Sequence, residues 1–126
     1  MNDYKATRTI SGHIGYTAAS TSISTALSAD TDRNTRAVRN RRLVGAVMYN
    51  DHQSTQPLTP TITVTNGTIS RKLDRTTIQA GDSAVWNEED YAIDLDSDQY
   101  ISISVAETLV NGDNLYVFLR FKDSFK

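Results

Sequence analysis

Three aspartates at alternate positions, Asp94, Asp96 and Asp98 in "EEDYAIDLDSDQ", come nearest in this chain to the spacing of a metal site. A calcium loop opens with such oxygen ligands, then needs a glycine for its sharp turn and a bidentate glutamate to close it. Gln99 and Val105 stand at those two places. Carboxylates projecting together repel one another unless a cation or arginines face them. With Glu88, Glu89 and Asp90 just upstream, the segment therefore reads better as an acidic solvent or interface face than as a calcium site. No metal or cofactor is expected.

Other chemistry is thinly marked. His13 and His52 are single histidines in polar segments, without the spacing of a metal pair or of a nucleophile and its base. The 126 residues include no cysteine, which removes disulfides, thiolate zinc sites and cysteine nucleophiles. No pair of carboxylates is marked out for glycoside hydrolysis, and no glycine-rich loop cradles a phosphate. The chain is expected not to be an enzyme. Trp86, the single tryptophan, could stack on a sugar ring, and with Tyr91 or Tyr116 it supports an alternative reading as a carbohydrate-binding sandwich. Beside Val85 in a strand pattern it reads first as a core residue.

The run "DRNTRAVRNRR" places Arg33, Arg36, Arg39, Arg41 and Arg42 within ten residues. Such a run could neutralise phosphates. No aromatic residue is interleaved and no nucleic-acid motif accompanies it, so a nucleic-acid partner is not expected. Charge is unevenly laid out: residues 1–50 carry seven Lys/Arg against three Asp/Glu, and residues 76–126 carry three against ten. Surfaces of opposite sign on one molecule can meet on neighbouring copies, and the arginines are read as facing an acidic neighbour.

The elements that must position these residues are strands. Period-two alternation recurs through the last two-thirds of the chain, while helical periodicity is hard to find. Strands are predicted at Arg42 to Asn50 and Thr61 to Thr65, with the turn signal Asn66-Gly67 and a return at Thr68 to Lys72. Others are predicted at Thr76 to Ala80, Ala84 to Asn87, Tyr91 to Leu95, Tyr100 to Ala106 and Leu115 to Lys122. The last two, joined by "ETLVNGDN", are expected to form a hairpin. Short strands at roughly ten-residue spacing predict an all-β fold, an antiparallel β-sandwich or jelly roll over residues 38–126.

Residues 1–37 are poor in large apolar side chains and are expected to be an extended N-terminal arm or an edge segment. The longest apolar run, Leu43 to Tyr49, has seven residues, against the roughly 20 needed to span a bilayer. No membrane partner is expected, and the N-terminus does not resemble a secretion signal.

In "LYVFLRF", residues 115–121, Leu115, Val117, Leu119 and Phe121 form one face and Tyr116, Phe118 and Arg120 the other. Phe118 is expected to meet a second sheet, and Tyr116 and Arg120 another subunit, since aromatics and arginine are enriched where proteins meet.

The arginine-led strand "RNRRLVGAVMYND", the Thr-rich strand into "NG", the tryptophan strand "SAVWNEEDYAIDL" and the closing "DQYISISVAETLVNGDNLYVFLRF" together resemble the small all-β virion proteins of tailed bacteriophages. The likeness covers about residues 38–122 and is one of layout. It implies a capsid decoration, cement or auxiliary head protein, or alternatively a tail or connector component. The implied partners are the major capsid protein and copies of the chain itself, possible homo-oligomers included. The implied location is the virion, after synthesis in the host cytoplasm. For such a protein the interface residues are taken to be the five arginines, the acidic residues from Glu88 to Asp98, Tyr116 and Arg120.

Overall fold

A computed structural model describes residues 6–16, 20–23, 38–87, 92–96 and 98–125. Its elements are β1 (Ala6–Gly15), β2 (Ser20–Ile23), β3 (Val38–Asn50), β4 (Pro60–Thr65), β5 (Ser70–Arg75), β6 (Ser83–Trp86), β7 (Ile93–Leu95), β8 (Tyr100–Val105) and β9 (Asn114–Phe125). They form two antiparallel sheets. Sheet A has the order β1-β9-β3-β6, with β7 also pairing with β3; sheet B has the order β2-β8-β4-β5.

Alternation explains why the sheets stack. Leu115, Val117, Leu119 and Phe121 of β9 are all fully buried, as are Ile101 and Ile103 of β8 and Ile62 of β4. They join one core that spans both sheets, because successive side chains of a strand leave on opposite faces and each sheet has one apolar face to hide. The architecture is an antiparallel β-sandwich.

Three expectations need correction. β8 and β9 do not form a hairpin: β8 pairs with β2 and β4 in sheet B, and β9 pairs with β1 and β3 in sheet A. The connection between them crosses from one sheet to the other, and buried polar groups hold it there. Asp113, fully buried, accepts hydrogen bonds from the Thr55 N–H at 2.7 Å, the Thr55 hydroxyl at 2.8 Å, Gln56 Nε2 at 2.9 Å and the Val110 N–H at 3.0 Å. Glu107 likewise accepts from the Thr59 N–H and hydroxyl, both at 2.7 Å. The β3–β4 and β8–β9 connections are thereby tied together.

Second, Thr76 to Ala80 is not a strand; Ile78 makes only an isolated bridge with Leu58. Third, the phase of β3 changes partway along. The ladder with β9 slips between Leu43 and Gly45, a bulge that adds Val44 as an extra residue. Leu43 therefore shares the core with Ala46 and Met48, and Val47 and Tyr49 turn to the opposite face.

β1 lies at the margin of sheet A, in register with β9 from Ala6↔Asp123 to Gly15↔Asn114. Residues 24–37 fall outside the described part of the chain.

Candidate interaction face

The predicted site residues do not converge on one place. Arg41 belongs to the interior: its side chain is fully buried, and Nε and Nη2 meet the two carboxylate oxygens of Asp123 at 2.8 and 2.9 Å. The guanidinium also lies 5.5 Å from the Phe121 ring centre. Arg41 and Asp123 are cross-strand partners in the β3–β9 ladder, and Arg41 shares the inward phase of Leu43. It is therefore not surface for a partner, contrary to the sequence reading. A bidentate pair of this kind satisfies charges that would be costly to bury singly.

Arg42 points outward and meets Asp94, its cross-strand partner on β7, at 2.9 and 3.2 Å. Half-exposed ion pairs of this sort contribute only about 0–1 kcal/mol. The three alternate aspartates separate because the strand ends at Leu95. Beyond it, the Asp96 N–H bonds to Gln99 Oε1, the Gln99 N–H bonds back to the Asp96 carbonyl, and Asp98 accepts from Asn66 Nδ2 at 3.4 Å. Among the described residues, no three His, Asp or Glu side chains gather as metal ligands. Arg33, Arg36, Glu88, Glu89, Asp90 and Tyr91 lie outside the described residues, and of Arg39 only the backbone, within β3, is described.

Tyr116, Phe118 and Arg120 do project together from the outer face of sheet A. Phe118 is 43% exposed, so it is not covered by the second sheet as expected: sheet B covers the other face. Trp86, 8% exposed, is a core residue, which removes it as a sugar platform.

Register assembles the outer face into rows. Ser11, Phe118, Val47 and Val85 are consecutive cross-strand partners on β1, β9, β3 and β6. The next row toward one end is His13, Tyr116, Tyr49 and Ser83; toward the other it is Thr9, Arg120 and Gly45, followed by Thr7, Lys122, Arg42 and Asp94. His13, Tyr116 and Tyr49 form a line of near-parallel rings, with centres 5.1 and 6.3 Å apart, and His13 Nε2 lies 2.9 Å from Asn114 Oδ1. One face thus runs from a basic end, through an apolar middle, to an aromatic end.

Of the exposed large apolar side chains among the described residues, Val47, Val85, Tyr116 and Phe118 share this face, whereas Tyr16, Ile69 and Val110 are scattered. Scattered singles are ordinary, and a contiguous group is the informative case. The face is also indented. A depression of about 200 Å³ is lined by Gly45, Val47, Val85, Phe118 and Arg120, among others. Gly45 creates room at its floor, since a Cβ there would lie 2.9 Å from the Trp86 carbonyl oxygen. The Arg120 guanidinium lies beside it, with Nη2 3.7 Å from that Cβ position.

Of the residues that share this face, sequence reasoning singles out Tyr116 and Arg120 but not Val47, Tyr49, Val85 or His13. Alternation assigns a residue to a face of its own strand; only register shows which strands share that face.

No family model matches the chain, and no curated protein matches its sequence. Solved structures resemble it in fold. The core of Drosophila NLP, a structure described for its insight into pentamer formation and histone binding, aligns over 96% of this chain and 98% of its own. The identity is 10% and the TM-score 0.53. A pentameric capsid protein from metagenomic phage sequences aligns over 92% of this chain and 62% of that one, at 15% identity and a TM-score of 0.47. The CBM22-1–GH10 modules of a Clostridium thermocellum xylanase, complexed with xylohexaose, align over 90% of this chain and 26% of that one, at 10% identity and a TM-score of 0.44. At these identities the likeness is one of fold.

Proposed function

We propose that the chain is a structural virion subunit, a capsid decoration or cement protein, and that the outer face of sheet A is where it meets another subunit of the particle. The observation that supports this most directly is the row Phe118, Val47 and Val85, with exposures of 43, 38 and 56%, flanked by tyrosines on one side and by Arg120 on the other. An apolar centre with Tyr and Arg around it has the composition of an interface core. The virion setting rests on the sequence layout resembling small all-β phage head proteins.

The test is co-expression with the major capsid protein of the same genome, followed by sedimentation of the assembled shells. The chain is expected to travel with the shells in many copies, and Phe118→Asp to stay in the supernatant with an unchanged circular dichroism spectrum. Shells that sediment without the wild-type chain would refute the reading.

A further inference from the structure

We infer that two copies of this chain pair face to face through sheet A, about a two-fold axis that runs across the strands along the row Phe118–Val47–Val85. The inference rests on the reading of this face as an assembly surface and commits it to a second copy as occupant.

The argument is geometric. Residues two apart on a strand are about 7 Å apart along it, so Arg120 and Tyr116 lie at equal distances on opposite sides of Phe118. A face can be laid on its own copy about an in-plane axis along the strands or across them. An axis along β9 sets Arg120 on Arg120 of the copy and Lys122 on Lys122, like charge on like. An axis across the strands reverses the order of the rows. Arg120 then meets the copy's Tyr116, Gly45 meets its Tyr49, and the apolar row meets itself.

Each of these contacts is favourable on its own terms. The Arg120 guanidinium has no hydrogen-bond or ion-pair partner among the described residues, and a guanidinium on a tyrosine face is a good cation–π pair. The depression floored by Gly45 lies opposite the copy's Tyr49, so a hole faces a ring. A two-fold interface must be complementary to itself in this way, residue i meeting j and j meeting i. Sheets stacked with nearly aligned strands are also an ordinary packing.

The face is small. Four strands about 4.8 Å apart, with rows spread over about 27 Å, give a footprint of roughly 500 Å² per copy. That is about 1,000 Å² for the pair, at the lower bound for a specific interface, so a dissociation constant in the micromolar range is expected. A weak pair of this kind becomes firm when many copies are held side by side on a lattice.

Because the chain has no cysteine, single-cysteine variants report positions cleanly. With sheets about 10 Å apart, Val47 meets its own copy at about that distance, whereas Arg120 lies about 17 Å from Arg120 of the copy and about 10 Å from its Tyr116. With a bismaleimide spanning about 10 Å, Val47→Cys is expected to cross-link to itself. Arg120→Cys is expected to cross-link efficiently only when mixed with Tyr116→Cys. In analytical ultracentrifugation Tyr116→Arg should weaken pairing at least tenfold, because the repulsion occurs twice by symmetry. The exchange variant Tyr116→Arg with Arg120→Tyr should restore it to within about threefold. A wild-type dimer in which Val47→Cys does not cross-link, or Arg120→Cys links best to itself, overturns the pairing while leaving the face an assembly surface. A chain that stays monomeric at millimolar concentration overturns the pairing too, and the sedimentation with shells then decides the broader reading alone.

Discussion

Replacing Asp113 by Asn tests the polar clasp that ties the β3–β4 and β8–β9 connections together. One carboxylate oxygen accepts the Thr55 N–H and hydroxyl, and the other accepts Gln56 Nε2 and the Val110 N–H. An asparagine keeps one acceptor oxygen and turns an NH₂ group toward two donors, so two charge-assisted bonds vanish. At about 1.5–2 kcal/mol for each bond, the cost is about 3–4 kcal/mol, or a fall in Tm of roughly 10–15 °C for a chain of this size. Acid supplies an independent check. Burial alone would raise the Asp113 pKa, but the bonds from the Val110 N–H, Gln56 and Thr55 outweigh it and lower the value from 3.8 to about 2. A depressed carboxylate pKa stabilises the fold above the unfolded value, and the contribution disappears as pH falls through the folded one. The stability gap between wild type and Asp113→Asn should therefore be constant above about pH 5 and narrow by about 2 kcal/mol between pH 4 and pH 2. Urea unfolding followed by tryptophan fluorescence at a series of pH values measures both quantities. A gap that is already small at pH 7, or that does not narrow in acid, would show that the ionised carboxylate does not hold the two connections.

The other predictions concern the buried ion pair and the outer face. Arg41→Met should cost about 3–5 kcal/mol by stranding Asp123, whereas Arg41→Met combined with Asp123→Leu should recover most of it; equal losses in denaturant titrations would show that the pair is not coupled. Gly45→Ala should destabilise by about 1–3 kcal/mol through contact with the Trp86 carbonyl, as overpacking does, and it should also lower self-association. Tyr116→Ala with Arg120→Ala should weaken attachment while shifting Tm by only a few degrees, because neither side chain reaches the core; a large loss of stability would place the pair in the fold instead.

Much of this was legible in the sequence, and the misses have physical causes. The inward set of β9 was readable because four consecutive alternate positions are large and apolar. The hairpin was misassigned because alternation says nothing about partners. The eight residues between β8 and β9 were a warning, since hairpin loops usually have two to five. The interior position of Arg41 also had a signal: Asp123 continues the phase of Leu115 to Phe121, and a carboxylate in an inward set needs a cation. What could not be read was the bulge at Val44, which resets the phase of β3 and brings Val47 and Tyr49 beside Phe118 and Tyr116. Without that slip Val47 and Tyr49 would not share the face of Phe118 and Tyr116.

The remaining surfaces indicate why association should use a face and not an edge. An open sheet margin invites strand addition unless it is short or carries charged or polar side chains. β5, at one margin of sheet B, exposes Arg71, Lys72 and Arg75. β1, at one margin of sheet A, exposes Thr7, Arg8, Thr9, Ser11 and His13. β6, on the other side of sheet A, has only four residues. These margins are guarded by charge, polarity or brevity, while the centre of the outer face carries Phe118, Val47 and Val85 with no charge among them. Contact through that face needs no new strand pairing, so it leaves both ladders of the sandwich intact. The proposed pairing predicts that Phe118→Lys will abolish self-association without changing the amide-exchange protection of β9.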